Sequence, residues 1–209
     1  MKSKYFVFDL DDTLVYEMDY LRSAFMEIAL SLADINLYDF MLEWYQNGVD
    51  VFVMLANNYA VDKEKLLESY RSHFPKIVLN DGVANVLAEI KDKGHFLGLI
   101  TDGRSITQRN KLKALGVELL FDKIIISEEF GTAKPNPKNY EVFIQKGITE
   151  YYYIGDNVMK DFIVPNSLGW TTVCLKDNGC NIHPQSFDCP IEQLPKYVIN
   201  NMFEFKKFI

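Results

Sequence analysis

Two carboxylates stand two residues apart directly after the first apolar run of the chain. Residues 5–8 are aromatic or β-branched, which predicts a buried strand, and Asp9 and Asp11 follow it. The carboxyl end of a strand is where open α/β sheets bind ligands. Two carboxylates held together call for a cation between them or a proton on one of them. A purely structural interpretation stays open here, because the sequence Asp11-Asp12-Thr13 also suits a turn or a helix cap.

A hydroxyl group stands in the corresponding place after a second apolar run. Thr101 ends the run that begins at Phe96, and Asp102 and Gly103 lead into a helical pattern. An Asp-Gly pair alone favours a hairpin, but here no returning strand follows it. The hydroxyl, the next backbone N–H groups and the start of a helix together predict an anion site suited to phosphate.

A lysine occupies the loop after a third predicted strand. Lys134 precedes Pro135, and proline restricts the backbone of the residue before it. Most lysines are solvated, so a Lys-Pro pair carries little information by itself. In this position, however, an ammonium can balance both a phosphate and a carboxylate.

A second acidic turn follows the fourth predicted strand. Gly155-Asp156 ends the run that begins at Tyr151, and Asp161 lies five residues beyond Asp156. These residues can also be read as an ordinary loop and a solvent-facing helix position. The convergence of four strand ends on carboxylates, a hydroxyl and a lysine favours a functional site.

The elements that position these residues alternate in the manner of a parallel sheet. The predicted strands are residues 5–8, 96–101, 123–126, 151–154 and 171–175, and the predicted core helices are residues 83–93, 105–115, 138–146 and 159–168, with a final helix after Pro190. Such alternation implies right-handed strand-helix-strand units. Residues 20–74 interrupt it with four helical patterns, which predicts an inserted all-helical block.

Composition limits the function classes. The chain has 209 residues, 48% of them hydrophobic, and a net charge of −7, which argues against broad binding of nucleic acid or an anionic membrane. No apolar run reaches the roughly 18 residues that a membrane span needs, and we expect no signal peptide. Three cysteines without a C-x-x-C pair suit a reducing compartment, so we expect a cytoplasmic protein. The oligomeric state is left open.

The four segments, in this order and spacing, resemble the motifs of the haloacid dehalogenase-like hydrolases, in the branch whose helical cap follows the first strand. The resemblance covers essentially the whole chain. It implies an α/β fold with a Rossmann-like parallel sheet core, residues 1–15 and 78–209, and an inserted all-helical cap domain, residues 16–77. It also implies a Mg²⁺-dependent phosphatase that acts on a small phosphorylated metabolite, either a sugar phosphate or a nucleoside monophosphate.

The resemblance also implies a role for each matching residue. Asp9 would be the nucleophile that forms an aspartyl-phosphate, and Asp11 would be the general acid and then the base. Lys134 would neutralise charge. The other implied roles are phosphate binding by Thr101, Asp102, Gly103 and Lys134, Mg²⁺ binding by Asp9, Asp156 and the backbone carbonyl of Asp11, and support by Thr13 and Asp161. A set of carboxylate ligands suits Mg²⁺, and the scattered histidines and cysteines offer no zinc site.

Three rival functions remain at this stage. A dehalogenase on the same fold would need the nucleophile but not Asp11. A phosphomutase would keep both acids and differ only in the cap. A binding module without catalysis would have no need of Asp9, Asp11, Lys134 and Asp156 together.

Overall fold

The computed structural model describes residues 3–209, and its centre is a six-stranded parallel sheet. The strands are β1 (Tyr5–Phe8), β2 (Phe96–Thr101), β3 (Lys123–Ile126), β4 (Tyr151–Gly155), β5 (Thr171–Leu175) and β6 (Tyr197–Ile199). They lie in the order β3-β2-β1-β4-β5-β6, and every neighbouring pair is parallel. In this Rossmann order the direction of winding reverses at β1, so the ligand crevice is expected at its carboxyl end. The predicted Rossmann-like core is confirmed.

The central strand is apolar because both of its faces are covered. All four residues of β1 have no solvent exposure, and they pair with β2 on one side and β4 on the other. Phe6 and Phe8 pack in the hydrophobic cluster on one face of the sheet, and Tyr5 and Val7 pack in the cluster on the other. A strand buried on both faces reads as a continuous apolar run, which explains the sequence pattern.

The insertion after β1 consists of helices, as predicted. These are α1 (Glu17–Ser31), α2 (Leu37–Gln46), α3 (Val51–Tyr59) and α4 (Lys63–Ser72). They share a hydrophobic cluster of their own, which includes Phe25, Met41 and Leu55. Asp50 and Asp62 cap α3 and α4 by accepting hydrogen bonds from backbone N–H groups of the first turn. The inserted helices are therefore packed around a core separate from that of the sheet.

The core helices are α5 (Val83–Asp92), α6 (Ser105–Ala114), α7 (Ser127–Phe130), α8 (Lys138–Glu141) and α9 (Ile163–Ser167). Two of them are shorter than predicted, α8 ending at Glu141 and α9 beginning at Ile163. A helix from residue 159 would place Pro165 in its interior, where the ring collides with the preceding turn. Beginning at Ile163 keeps that proline in the first turn.

The prediction of a final helix after Pro190 is wrong. The chain instead forms a 3₁₀ turn at Ile191–Gln193, strand β6 and a 3₁₀ helix at Met202–Phe208. Pro195 cannot continue a helix, and the aromatic and β-branched residues that follow it pair with β5. Within residues 3–209, no helix is both long and apolar enough to cross a membrane.

Gly98 in β2 lies in a closely packed part of the core. A Cβ atom there would lie 2.5 Å from Cε1 of Phe143 and 3.0 Å from Cε1 of Tyr5. We predict that Gly98→Ala lowers the free energy of unfolding by about 1–3 kcal/mol, because the core has no room for the methyl group. Urea denaturation measures this cost. In a Phe143→Ala background the same change should cost clearly less, and an equal cost in both backgrounds would rule out the Phe143 contact as its cause.

Candidate active site

The sheet brings the two acidic turns together. Asp9 follows β1 and Asp156 follows β4, which are neighbours, and the backbone N–H of Asp9 donates to the carbonyl of Ile154 at 2.8 Å. Asp161 lies in the turns after β4. Carboxylate oxygens of Asp9, Asp156 and Asp161 lie within 4.8 Å of one another, and all three residues are buried. The predicted cluster of acids therefore forms at the carboxyl ends of the two central strands.

One buried lysine lies among these acids. The Nζ atom of Lys134 is 2.8 Å from Oδ1 of Asp9 and 2.8 Å from Oδ1 of Asp161. The Tyr153 hydroxyl donates to the same oxygen of Asp161 at 3.2 Å. Burial by itself would lower the pKa of Lys134, but the charges of Asp161 and Asp9 outweigh burial and hold that pKa above its ordinary value. Lys134 is therefore an ammonium that joins two of the motifs.

Asp161 is completely buried and is not a solvent-facing helix residue. Its Oδ2 accepts a hydrogen bond from the backbone N–H of Asn157 at 2.9 Å. A Cβ atom on Gly155 would overlap that same oxygen, so only glycine fits there. Both oxygens of Asp161 have protein partners, which suits the supporting role predicted for this residue.

The surplus of negative charge changes the protonation of the cluster. Burial raises the pKa of Asp9 to about 7, with Lys134 opposing and Asp161 adding to the shift. Burial, and then the charges of Asp9 and Asp161, raise the pKa of Asp156 to about 9. Among residues 3–209, three carboxylates lie around one ammonium, which leaves a local deficit of positive charge. A divalent cation would supply that charge.

The donor set fits Mg²⁺, which prefers a few carboxylate oxygens and backbone carbonyls. The side chains of Asp9 and Asp156, with the backbone carbonyl of Asp11, are the groups that would hold the ion. Asn181 donates to Oδ2 of Asp156 at 2.9 Å and so orients one side of that carboxylate. Sequence reasoning gave no role to the loop that contains Asn181.

Asp11 is held by two side chains of α6 that sequence reasoning missed. The Nζ atom of Lys111 lies 2.6 Å from Oδ1 of Asp11, and Nε2 of Gln108 donates to Oδ2 at 2.9 Å. Lys111 is buried, and its ammonium lies 4.7 Å from the ring centroid of Tyr20 in α1. Within the sequence, a lysine and a glutamine in a polar helix carry no signal of such contacts.

The predicted phosphate segment lies at the end of β2. Thr101 is buried there and lines the same cavity as Asp9. The N–H of Gly103 donates to the Ser127 hydroxyl at 2.9 Å, and the N–H of Ser105 donates to Glu128 at 2.7 Å. Glu128 thus already occupies the start of α6. The expected anion site is therefore limited to Thr101 and the backbone of the turn that precedes α6.

The Asp102 carboxylate points toward neighbouring loops. It accepts hydrogen bonds from the backbone N–H of Lys134 at 3.0 Å and from Nζ of Lys160 at 3.1 Å. These contacts tie the predicted phosphate segment to the lysine loop and to the second acidic turn. Any contact of Asp102 with phosphate would therefore come from its backbone.

Asp12 has a structural role that the sequence left unassigned. Its backbone is left-handed, with φ of 55°, a conformation that aspartate tolerates. Its carboxylate accepts from the N–H of Glu17 at 2.9 Å and from the N–H of Ile182 at 3.1 Å. It therefore links the start of the helical insertion to the loop after β5. Thr13, predicted to be positional, is fully buried, and its hydroxyl has no hydrogen-bond partner among residues 3–209.

These side chains enclose a polar cavity of about 140 Å³. The predicted residues that line it are Asp9, Asp11, Thr101, Asp102, Lys134 and Asp156. The lining residues that the sequence did not single out for the site are Asp12, Glu17, Asn157, Lys160 and His183. Gly103, Thr13 and Asp161 do not belong to this lining.

Comparison with known proteins identifies the family. The family model described as haloacid dehalogenase-like hydrolase matches residues 6–174. A glyceraldehyde 3-phosphate phosphatase of Methanocaldococcus jannaschii is 29% identical over 220 residues, which cover 95% of this chain and 93% of the relative. A pyrimidine 5'-nucleotidase of Escherichia coli, YjjG, is 24% identical over 100% of this chain and 99% of its own.

A solved structure has the same fold. The HAD-hydrolase YfnB of Bacillus subtilis, bound to magnesium, superposes with a TM-score of 0.66 at 22% identity, over 100% of this chain and 99% of that one. The family match and the named relatives confirm the family and the enzyme class expected from the motifs. The chain belongs to the haloacid dehalogenase-like hydrolase family and is a phosphatase of that family.

Proposed function

We propose that the protein hydrolyses a small phosphorylated metabolite through an aspartyl-phosphate on Asp9, with Mg²⁺ bound beside it. The observation that carries the proposal is the position of Asp9. It directly follows strand β1, its Oδ1 is 2.8 Å from Nζ of Lys134, and it shares a cavity with Asp11, Thr101 and Asp156. Nucleophile, acid and anion site therefore meet in one small volume.

In the first step, an oxygen of Asp9 attacks phosphorus and the bond from phosphorus to the ester oxygen breaks. Oδ1 of Asp9 is engaged by Lys134, which leaves Oδ2 as the attacking atom. Thr101 and the adjoining backbone hold the phosphoryl oxygens, and the ammonium of Lys134 balances their charge. When bound, Mg²⁺ would neutralise phosphoryl charge and align the phosphate with Asp9.

Asp11 serves both halves of the reaction. It donates a proton to the departing alkoxide, and then takes a proton from the water that attacks the aspartyl-phosphate. That attack breaks the bond between phosphorus and the Asp9 oxygen, releases phosphate, restores the Asp9 carboxylate and returns Asp11 to its protonated form. Lys111 and Gln108 hold the Asp11 side chain on the leaving-group side of the cavity.

Residues 16–77 act as the cap over this cavity in our proposal. Core helix α6 is hydrogen-bonded to the end of α4. The Thr107 hydroxyl donates to the carbonyl of Arg71 at 2.8 Å, and the Asn110 amide donates to the carbonyl of Ser72 at 2.9 Å. A cap held there excludes water from the reacting phosphate and places its own side chains beside the leaving group. We place the enzyme in the cytoplasm, in keeping with its unpaired cysteines.

The first prediction concerns the nucleophile. Asp9→Asn should lower turnover of p-nitrophenyl phosphate on the order of 10³-fold or more, since an amide cannot form the intermediate. Circular dichroism should show a folded protein. Asp39→Asn, the same change at an exposed cap position, is the matched control and should keep full activity. Near wild-type turnover of the Asp9 variant would remove Asp9 from this role.

The second prediction concerns the acid. Asp11→Asn should lower turnover of an alkyl phosphate on the order of 10²-fold or more, because an alkoxide needs a proton to leave. The initial burst of p-nitrophenolate from the aryl ester should largely survive, since that group leaves without one. Lys111→Met should show the same pattern more weakly. An equal loss of burst and alkyl turnover would contradict the proton-transfer role.

The third prediction concerns metal and pH. Asp9 and Asp156 have pKa values of about 7 and about 9 when folded, against an ordinary 3.8. The folded protein therefore keeps protons that the unfolded chain has lost, and without metal its stability falls as pH rises from about 4 to about 9. Mg²⁺ competes with those protons for the carboxylates. It should raise Tm more at pH 8.5 than at pH 5.5, by about 3 °C or more.

Two companion measurements complete the metal test. Asp156→Asn should raise Tm at pH 8.5 without metal, because an amide needs no bound proton to be buried there, and should lose the Mg²⁺ response. EDTA should abolish turnover, Mg²⁺ should restore it, and Ca²⁺ should restore it poorly because its looser coordination misplaces the phosphate. Full activity in metal-free buffer, or a Tm that does not change when Mg²⁺ is added, would refute the metal assignment.

A further inference from the structure

A carboxylate at the start of the helical insertion belongs to the lining of this cavity. Glu17 opens α1, and its backbone N–H is fixed by the Asp12 carboxylate at 2.9 Å. Its half-buried side chain lines the same cavity as Asp9 and Asp11. The mechanism described above makes no use of it.

The Glu17 carboxylate is free to accept a hydrogen bond, as far as residues 3–209 show. Among residues 3–209 it takes part in no ion pair or side-chain hydrogen bond, and the nearby ammonium of Lys111 is already 2.6 Å from Asp11. Burial and the charge of Asp11 raise the pKa of Glu17 to about 7, with Lys111 opposing them. An unpaired acceptor that borders a cavity is available to a ligand.

The charge of Glu17 affects the pKa values of two phenols of the cap. Burial raises the pKa of Tyr45 above its ordinary value, with Glu17 adding to the shift, and that of Tyr70 behaves in the same way with Tyr20 and Glu17 contributing. Both phenols therefore stay neutral. Two basic side chains besides Lys134 line the cavity, but Lys160 is paired with Asp102 at 3.1 Å, and His183 lies on the loop after β5.

We propose that Glu17 selects the leaving group: it accepts a hydrogen bond from a hydroxyl of a short, uncharged, hydroxylated phosphate ester, and it repels esters that carry a carboxylate at that position. The proposal rests on the phosphatase function proposed above and narrows its substrate class. A substrate hydroxyl would satisfy an acceptor that is otherwise unpaired. A substrate carboxylate would add a further negative charge beside Asp9, Asp11 and Glu17, which is unfavourable in a closed site.

Two esters of the same skeleton test this. Glycerol 3-phosphate and 3-phosphoglycerate differ only in a CH₂OH group where the second carries a carboxylate. At pH 8.5, where Glu17 is ionised, the wild type should favour glycerol 3-phosphate in kcat/KM by about tenfold or more. Glu17→Gln keeps the side-chain volume, removes the charge and adds an N–H donor. It should reduce that preference by about tenfold or more, mainly by improving 3-phosphoglycerate.

Two further variants separate charge from shape. Asp19→Asn removes one charge from the same turn of α1, but Asp19 lines a different cavity, between α1 and residues 73–78, so the preference should not change. Glu17→Asp keeps the charge but shortens the side chain by one methylene group. It should still reject 3-phosphoglycerate while losing part of its rate with glycerol 3-phosphate.

Binding to the inactive Asp9→Asn protein provides a readout without turnover. Each ester is titrated calorimetrically, in the presence of Mg²⁺, into Asp9→Asn and into the double variant that also carries Glu17→Gln. The two proteins should show the same change in preference as the turnover measurements. If the wild type hydrolyses no phosphate ester, the phosphatase proposal fails while this titration still tests Glu17. A preference that stays within about twofold with and without Glu17→Gln, or a wild type that prefers 3-phosphoglycerate, would overturn the proposal.

Discussion

The buried ion pairs of Lys134 hold the parts of the candidate site together. Lys134 contacts Asp9 and Asp161 at the same distance, 2.8 Å, and all three side chains are buried. Removing charges from water is costly unless they are paired and hydrogen-bonded. The structure meets that requirement with Tyr153, the Asn157 backbone and the absence of a side chain at Gly155. Strand ends and loops must therefore fit together closely before the site exists at all.

Lys134 balances only part of the negative charge of the carboxylates around it. The remaining negative charge determines how these carboxylates bind protons and metal. Asp156 takes part in no ion pair among residues 3–209, and burial, followed by the charges of Asp9 and Asp161, raises its pKa to about 9. The same deficit that makes the carboxylates hold protons makes them suited to a divalent ion. A phosphate ester brings more negative charge. A cation bound here would balance the carboxylates and the phosphate together.

The side of the cavity that holds Asp11 is built differently. Asp11 is held by Lys111 and Gln108 from α6, while the helical insertion contributes Glu17 from the first turn of α1. Asp12 joins these parts, since its carboxylate accepts from Glu17 at 2.9 Å and from Ile182 at 3.1 Å. The turn that carries the candidate nucleophile and acid is thus also the point where the insertion begins. Side chains at the start of the insertion are positioned by the same turn that positions Asp9.

The sequence by itself determined the sheet, the insertion and the acids at the strand ends. These features have local signals, namely strand periodicity, glycine residues that end helices and the apolar run at residues 5–8. The local backbone follows these signals. The helix that contains Pro165 begins later than predicted, because proline is accepted only in the first turn. Strand β6 was missed because its pairing with β5 outweighs weak local preferences. Only the tertiary structure revealed Glu17, Lys111 and Asn181 as neighbours of the candidate catalytic acids. They come from separate segments, and a polar residue in a helix or loop looks the same in sequence whether it faces solvent or a cavity.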